Sequence, residues 1–471
     1  MKLSADCINR WECAMQPEKN WAADNQGVPL LDGEVERYLS VVPTEAQLRQ
    51  AERPFYAFLH FGMNTATGRE WGTGWETAAD FTIKAVDCAQ WAGAVKASGA
   101  SGIILTCKHH DGFCLWDTAC TDFSVMHSPY GRDIVKQAAD ACREAGLSFG
   151  VYLSPWDMHE STYGTPAYND YFCRQLTELL TGYGEIFEVW FDGAKGENAR
   201  EFTYDWEQYY ETVRRLQPGA NIAVCGPDLR WVGNEAGKTR AAEFSVVPEE
   251  LTRAETVQER SQHREEEGEA MKALTSSDED LGSRGVLRRA KKLCWYPAEV
   301  DVSIRKGWFY HEEEDSTVKS ADELFSIYLC SVGNNCCLLL NVPPDRSGRI
   351  CEKDRAVLEE LGEKLKGITR RPVLEEAPGR LTPERPVLFF SFGEARTLRY
   401  CVLEEELRES QRVEQFELYL KTPEGSIEKV ASGTVIGAKR ILPLSGRAVE
   451  AALVIRQSRS APVLKKVGFY E

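Results

Sequence analysis

The chain has 471 residues, of which 43% are hydrophobic, which is enough for a large core and more than one ordinary domain. Its 56 Lys and Arg residues against 73 Asp and Glu residues give a formal net charge of −17. This acidic balance repels nucleic acid and anionic membrane surfaces, and no run of about 18 apolar residues occurs. We therefore expect no nucleic acid and no membrane as a partner.

The beginning of the chain, MKLSADCINRWECAMQPEKN, contains no apolar segment typical of a secretory signal. The 15 cysteines are odd in number and show neither a C-x-x-C pair nor zinc-type spacing. Several of them lie inside apolar runs, where a free cysteine behaves as a small hydrophobic residue: Cys107, Cys142, Cys225, Cys336 and Cys337. These features predict free thiols and a cytoplasmic location.

Residues 51–370 repeat one pattern, in which an apolar run is followed by a polar cluster and then by an amphipathic stretch. The apolar runs are 56–61, 102–107, 148–153, 186–191, 221–225 and 336–342. Most of them are continuously apolar rather than alternating. Continuous runs are typical of parallel strands that are covered on both faces.

The amphipathic stretches between these runs predict helices with recognisable first and last residues. The predicted N-caps and stops are Asp133 and Gly146, Asn169 and Gly182, and Asp205 and Gly219. Six or more strand–helix units over roughly 300 residues favour a (β/α)8-like barrel. An open, doubly wound parallel sheet remains the alternative.

Three other segments depart from this pattern. Residues 1–50 hold tryptophans and prolines without a clear period, and we expect an arm packed on the barrel. Residues 249–292 are rich in both charges, which predicts a solvated excursion on the barrel rim. After a linker rich in proline and charge at 370–386, short partly alternating runs predict an antiparallel β-sandwich over 375–471.

Polar clusters follow the apolar runs, and the carboxyl ends of barrel strands form the site in proteins of this architecture. The clusters include KHHDGF (108–113), SPWD (154–157), DGAKG (192–196) and GPDLRWVGNE (226–235). Seven tryptophans lie at or near these ends: Trp71, Trp75, Trp116, Trp156, Trp190, Trp231 and Trp308. Aromatic rings beside a few carboxylates and histidines suit a neutral, polyhydroxylated ligand.

Two carboxylates are the candidates for catalysis. Asp192 directly follows the run EVWF, and Glu235 ends the cluster RWVGNE. A nucleophile paired with a general acid is the requirement of glycoside hydrolysis. Glu197, Glu207 and Glu243 compete with Glu235 for the second role.

The sequence contains the motifs HFGMNT, EWG, CKHHDGFCLW, VWFDG, RWVGNE and LLLNVPPDRSG. Together these motifs resemble the α-L-fucosidases of glycoside hydrolase family 29. The resemblance covers roughly residues 50–350. It implies a barrel with a C-terminal β-sandwich and retaining hydrolysis of α-linked L-fucose without a metal or cofactor. RWVGNE is similar to the subfamily that acts on α-1,3- and α-1,4-linked, branched (Lewis-type) substrates.

By this resemblance Asp192 is the nucleophile and Glu235 is the acid/base. The implied fucose-binding residues are His60, Glu70, Trp71, His109, His110, Tyr152 and Trp308. The expected partner is therefore a fucosylated oligosaccharide substrate. One departure concerns Phe244, where this subfamily would be expected to carry a tryptophan.

Several interpretations of single residues stay open. Because neighbouring strand residues point to opposite faces, His109 and His110 reach one ligand only if the strand ends or bulges between them. Lys108 is expected to be a structural charge partner, Asp111 a turn residue and Trp116 a wall of the site. Two other functions remain as alternatives: a metal-dependent barrel hydrolase and a non-catalytic carbohydrate-binding protein.

Overall fold

The structure of the protein is a computed structural model. It describes Trp11, Met15, Trp21 and residues 27–196, 202–241, 243–255 and 280–471. Within these ranges, none of the helices has the length and apolar character needed to span a bilayer.

Ten strands belong to the first three quarters of the chain. They are β1 (Phe55–Leu59), β2 (Gly102–Lys108), β3 (Ser148–Leu153), β4 (Glu188–Phe191), β5 (Asn221–Val224), β6 (Arg230–Trp231), β7 (Val246–Pro248), β8 (Leu293–Trp295), β9 (Ala298–Ser303) and β10 (Cys336–Asn341). Eight of them form one parallel sheet in the order β5-β4-β3-β2-β1-β10-β9-β6, and β7 pairs with β8. A single parallel bridge between Ala223 and Leu229 spans the gap between β5 and the segment leading into β6. The sheet is therefore a nearly closed barrel, as predicted.

The helices surround this barrel. They are α1 (Glu34–Leu39), α2 (Glu45–Glu52), α3 (Met63–Thr67), α4 (Cys88–Ala97), α5 (Ile134–Ala145), α6 (Ala167–Gly182), α7 (Trp206–Leu216), α8 (Arg284–Arg289), α9 (Ala321–Ser331) and α10 (Glu352–Thr369). Short 3-10 helices occupy Ala78–Asp80, Val125–His127, Glu249–Thr252, Glu312–Thr317 and Leu407–Glu409.

The predicted caps of two helices are confirmed, and one is wrong. Asp133 caps α5 by accepting the Lys136 amide, and Asp205 caps α7 by accepting the Gln208 amide. Asn169, by contrast, lies inside α6, which begins at Ala167. Its side chain accepts the backbone amide of Asp205 instead, so it joins α6 to the start of α7.

The pleat of the strands explains why their sequences are apolar on both faces. On β1, Phe55, Ala57 and Leu59 pack against the helices, whereas Tyr56 and Phe58 fill the barrel interior. The same alternation holds along β3, β4 and β10. Both faces are thus buried, which produces the continuous apolar runs seen in the sequence.

The sequence pattern did not predict two of the barrel strands. Strand β6 is only two residues long, and β9 has the sequence AEVDVS. Along β9, Val300 and Val302 join the core beneath the helices. The alternate residues Glu299 and Asp301 are also buried, so acidic side chains interrupt what would otherwise be an apolar run.

The C-terminal part contains nine strands: β11 (Pro372–Glu376), β12 (Gly379–Arg380), β13 (Val387–Thr397), β14 (Tyr400–Glu405), β15 (Val413–Lys421), β16 (Ile427–Gly433), β17 (Arg440–Pro443), β18 (Arg447–Ser458) and β19 (Val463–Tyr470). One sheet has the order β13-β18-β15-β16, and the other has the order β11-β19-β14-β17 with β12 beside β19. All their pairings are antiparallel, which confirms the predicted β-sandwich. Strand β11 lies inside the segment expected to be a linker.

The expected N-terminal arm divides between the two parts of the molecule. Trp11, Met15 and Trp21 pack on the β-sandwich. Helix α2 lies beneath the barrel, where Gln50 donates to Glu188 at 2.8 Å. Arm and barrel therefore meet at the end of the strands opposite the polar clusters.

The charged segment 249–292 is solvated only in part. Within it, residues 256–279 lie outside the described residues. Arg284, at the start of α8, is fully buried and donates to Glu414 of β15 and to the Trp21 carbonyl. The end of this segment thus joins the arm to the β-sandwich.

Candidate active site

The site lies where the inward-facing residues of the strands reach the carboxyl ends of the barrel. Because side chains alternate along a strand, Asp192 continues the inward row of Glu188 and Trp190. Asn341 ends the inward row of β10 in the same way. The residues that follow the apolar runs are therefore brought to one opening of the barrel.

Asp192 is held by three neighbours. Its Oδ1 accepts the Ala194 amide at 2.7 Å, and its Oδ2 accepts the Tyr152 hydroxyl at 3.0 Å. The Nε2 atom of His110 lies 4.0 Å from the same Oδ2. The Asp192 side chain is nevertheless 21% exposed, so the carboxylate is fixed in orientation and reachable from the opening.

His109 and His110 both belong to this opening. Strand β2 ends at Lys108, after an irregularity in its pairing with β3 between Thr106 and Lys108. The two imidazole rings lie 4.1 Å apart, centre to centre. The strand therefore ends before the two histidines, which is the condition under which both could reach one ligand.

Each histidine is oriented by a different polar group. His110 Nδ1 lies 2.7 Å from the Ser154 hydroxyl, and its ring stacks on Trp156 at 4.8 Å. His109 Nδ1 lies 3.4 Å from the Asn64 side-chain amide. These contacts use Nδ1 of both rings, and the Nε2 atom of His110 lies toward Asp192.

His60 follows β1 and is anchored by a residue of the neighbouring strand β10. Its Nδ1 lies 2.9 Å from the Oδ1 atom of Asn341, whose Nδ2 donates to the Trp308 carbonyl at 2.8 Å. The His60 ring lies 5.0 Å from the Trp308 ring and 5.7 Å from the His109 ring. His60 thus connects the histidine pair to Trp308.

Burial lowers the pKa of all three histidines, which favours their neutral form. Burial, partly opposed by the Asn341 hydrogen bond, lowers the pKa of His60 to about 3. Burial also lowers the pKa of His109 well below its usual range, and that of His110 despite the charge of Asp192. A neutral imidazole both donates and accepts a hydrogen bond, which suits sugar hydroxyls.

Glu70 organises the loop that carries Trp308. Its Oε2 accepts the Trp308 amide at 3.0 Å, and its Oε1 accepts the Phe309 amide at 3.1 Å. His311 Nε2 lies 2.8 Å from the same Oε1. Both oxygens of Glu70 therefore accept hydrogen bonds from the protein, and its contact with fucose, implied by the resemblance, stays a prediction.

Glu235 lies on the exposed loop that follows β6. Its Oε2 accepts the indole N–H of Trp308 at 3.2 Å. An antiparallel bridge between Ala236 and Val302 fastens this loop to β9. Burial and the nearby charge of Glu235 raise the pKa of Asp301, which also accepts the Trp231 indole at 2.8 Å.

The tryptophans near the strand ends divide into two groups. Trp71 is 43% exposed, and its ring lies 5.6 Å from that of His110 and 5.3 Å from that of Trp156. Trp116, expected to be a wall of the site, is instead fully buried and donates to Glu178 at 2.8 Å. Trp190 is 6% exposed and donates to Glu299 inside the barrel at 2.9 Å.

Two residues of the KHHDGF motif have structural roles, as expected. Lys108 is completely buried and donates to Asp157 at 2.8 Å and to Gln175 at 2.9 Å. Asp111 accepts the Phe113 amide at 2.8 Å, which closes the turn. Burial raises the pKa of Asp111 to about 7.

The other candidates for the general acid are not placed at the opening by the structure. Glu243 is buried and paired with Arg230 at 2.7 Å and Arg240 at 3.2 Å, which lowers its pKa despite burial. Glu207 lies in the first turn of α7. Glu197 lies outside the described residues.

Phe244 does not face the opening. It is 7% exposed and packs with Val247, Leu281, Tyr296 and Val435 where the barrel meets the β-sandwich. The departure noted in the sequence therefore affects packing between the two parts of the molecule.

The sequence pattern did not identify several polar residues of the barrel. Asn341 and Ser154 orient histidines, and Asp301 lies close to Glu235. Deeper in the barrel, burial and the charge of Glu299 raise the pKa of Glu188 well above its usual range. The alternation of acidic and apolar residues in AEVDVS was the one sequence signal for Glu299 and Asp301.

Across the ranges that the structure describes, no three or more His, Cys, Asp and Glu side chains are grouped so that they could hold a metal ion.

Comparison with known proteins gives a consistent result. The family model described as Alpha-L-fucosidase matches residues 63–368 of this chain. Alpha-L-fucosidase 1 of Arabidopsis thaliana is 37% identical over 468 residues, which cover 91% of this chain and 87% of that protein. The family-model match begins inside the HFGMNT motif and contains the later motifs through LLLNVPPDRSG and the barrel strands from β2 to β10.

Solved structures resemble the chain as a whole. A Bacteroides ovatus protein with a proposed α-L-fucosidase assignment is 43% identical with a TM-score of 0.82, covering 93% of this chain and 75% of that one. A member of glycoside hydrolase family 29 from a rumen bacterium is 36% identical with a TM-score of 0.77. That match covers 91% of this chain and 77% of the bacterial protein.

Proposed function

The chain belongs to the α-L-fucosidase family, glycoside hydrolase family 29, and we propose that it releases fucose with retention of configuration by double displacement. Its enzyme class is that of an α-L-fucosidase. The observation that carries the mechanistic proposal is the fixed orientation of Asp192 at the opening, with Glu235 on the loop after β6 hydrogen-bonded to the Trp308 indole.

In the first step Asp192 acts as the nucleophile. A carboxylate oxygen bonds to the anomeric carbon, and the bond from that carbon to the leaving oxygen breaks. The Ala194 amide and the Tyr152 hydroxyl hold the carboxylate in one orientation, which lowers the entropic cost of attack.

Glu235 acts as the acid and then as the base. It gives its proton to the leaving oxygen in the first step. In the second step it takes a proton from water, whose oxygen bonds to the anomeric carbon as the bond from that carbon to Asp192 breaks. Its exposed position supports this role, because both the leaving group and the water must reach it. The Trp308 indole orients the Glu235 carboxyl between the two steps.

The neutral histidines hold the fucose. His60, His109 and His110 lie within one connected group of rings, and each is anchored through Nδ1. Their remaining ring nitrogens are therefore available to the sugar hydroxyls. Trp308 offers an apolar face beside His60 for the CH face of the ring.

We further propose that the substrates are α-1,3- and α-1,4-linked branched fucosides of fucosylated oligosaccharides. The support is the RWVGNE motif, in which Glu235 follows β6, together with the exposed aromatic rings around the opening. A hydrolysis panel tests this linkage preference by comparing Lewis-type trisaccharides, a 2′-linked fucoside and an aryl fucoside. Cleavage of the 2′-linked fucoside at least as fast as of the trisaccharides would contradict it.

Proton NMR of the reaction tests the stereochemistry. A retaining enzyme releases α-L-fucose first, and the β anomer appears later by mutarotation. First appearance of the β anomer would refute double displacement. An Asp192→Gly variant should lose activity on trisaccharides and regain part of it on an activated fucoside with azide, because azide occupies the space of the missing carboxylate.

We also propose a reducing, cytoplasmic location. Thirteen described cysteines are free thiols, and eight of them are buried among apolar groups where they contribute packing. Burial raises the pKa of Cys107 and Cys114 well above the usual range, which keeps these thiols unreactive. Titration of the purified, denatured protein with a thiol reagent should detect all 15 cysteines, and a deficit of two or more would contradict the proposal.

A further inference from the structure

Trp75 is the most exposed of the large hydrophobic side chains on the described surface. It is 88% exposed, compared with 43% for Trp71 on the same loop. Single exposed hydrophobic residues are common on protein surfaces and need no special explanation. The position of Trp75 is different, because it lies four residues after Trp71, whose ring belongs to an aromatic row that begins inside the candidate active site.

This aromatic row runs outward from Asp192. The His110 ring, next to Asp192, stacks on Trp156 at 4.8 Å, and Trp156 packs edge-on against Trp71 at 5.3 Å. His110 is 4% exposed, and exposure rises to 43% at Trp71 and 88% at Trp75. The row therefore leads from the reacting centre to Trp71, on the exposed loop that also carries Trp75.

The loop that carries Trp75 is firmly held. Glu76 is 6% exposed and accepts hydrogen bonds from Arg69 at 2.8 Å and from the Thr73 amide at 2.9 Å. A Cβ atom on Gly72 would come within 2.6 Å of the Asp111 Cβ atom. The loop thus packs directly on the turn that follows the histidine pair.

A second contact fixes the loop beside Trp156. Gly74 has a φ of +78°, and a Cβ atom there would lie 2.7 Å from the Met158 carbonyl oxygen. Trp75 follows Gly74 directly, and Met158 is two residues from Trp156. The exposed indole is therefore presented from a preorganised support, which reduces the entropy lost when a ligand binds.

We propose that Trp75 stacks on a neutral sugar ring of the leaving group and thereby favours fucosides of oligosaccharides over fucosides with a small leaving group. A pyranose ring has an apolar CH face that matches an indole face. The inference rests on the proposed function, because it takes the opening next to Asp192 as the place where fucose binds.

The test compares two substrates that share the fucosyl group. α-L-Fucosyl fluoride has no sugar as leaving group, whereas a Lewis-type trisaccharide has two. We expect Trp75→Ala to lower the ratio of kcat/KM for the trisaccharide to kcat/KM for the fluoride by about fivefold to tenfold. Trp75→Phe should restore most of this ratio, because the aromatic face is kept.

Leu31→Ala is the matched control. Leu31 is 50% exposed and lies in the arm just before α1, away from the opening. This variant should change neither kcat/KM value. It removes a similar exposed hydrophobic side chain, so a general effect of surface polarity would appear in it as well.

An unchanged ratio in Trp75→Ala would overturn the inference. If both kcat/KM values fall equally, the variant has damaged the fucose site. If the sedimentation coefficient falls, Trp75 belongs to a contact between copies of the chain. A wild-type enzyme that leaves both substrates intact would instead refute the proposed function itself.

Discussion

Replacing Glu70 with alanine tests whether this carboxylate organises the Trp308 loop. Glu70 accepts hydrogen bonds from the amides of Trp308 and Phe309 and contacts His311. Hydrogen bonds to a charged group contribute about 1.5–3 kcal/mol each. Because the Glu70 side chain is 36% exposed, water screens these hydrogen bonds and weakens them. We therefore expect the substitution to cost about 1 kcal/mol for each of the three contacts, or about 3 kcal/mol in all.

This loss should reach the reaction through Trp308. The loop positions the indole N–H that binds Glu235 and the carbonyl that binds Asn341. If most of the 3 kcal/mol is felt in the transition state, kcat/KM falls by about 30-fold to 100-fold. Glu70→Gln should fall in between, because an amide keeps one acceptor oxygen but no charge.

Hydrogen exchange separates loop organisation from direct contact with the sugar. In the ligand-free Glu70→Ala protein, the amides of Trp308 and Phe309 should exchange at least about tenfold faster than in the wild type. Glu313→Ala, which removes an exposed carboxylate from the same segment, is the control and should exchange as the wild type. Unchanged exchange at Trp308 and Phe309 together with lost activity would refute the loop role and favour Glu70 as a fucose ligand.

Three further predictions follow from single side chains. Glu235→Ala should lower kcat/KM for a trisaccharide by at least about 100-fold but for α-L-fucosyl fluoride by less than tenfold, since fluoride leaves without a proton; equal losses would remove the acid role. Asp111 has its pKa raised from 3.8 to about 7, so its contribution to stability is fully present below pH 3.8 and is lost as the pH rises through 7. The free energy of unfolding of the wild type should therefore decline by about 4 kcal/mol between pH 4 and pH 7, and that of Asp111→Asn should not show this decline. Identical pH profiles of denaturation for the two proteins would refute this. Lys108→Met leaves Asp157 buried without its cation and should cost about 3–5 kcal/mol, measured by urea unfolding; a loss below 1 kcal/mol would contradict a buried pair.

The sequence predicted those barrel strands whose two faces are both apolar. On β1 the inward residues Tyr56 and Phe58 are as apolar as the outward ones, so the run is continuous. On β9 the inward residues are Glu299 and Asp301, and the run is interrupted every second residue. Periodicity measures the environment of each face, and it fails where a buried face is polar.

The candidate site could be predicted where a residue directly follows an apolar run. Asp192 and His110 are of this kind, and the structure places them 4.0 Å apart. The contact between His60 and Asn341 joins residues 281 positions apart and depends on the pairing of β1 with β10. Such partners become visible only once the order of the strands in the barrel is known.

The central claim is that Asp192 forms the covalent intermediate. Incubation with a 2-deoxy-2-fluoro-α-L-fucosyl fluoride should trap that intermediate, because the fluorine slows the second step more than the first. Peptide mapping by mass spectrometry should then locate one fluorofucosyl group on Asp192. A label on any other carboxylate, or inactivation of an Asp192→Asn variant at the wild-type rate, would contradict the account.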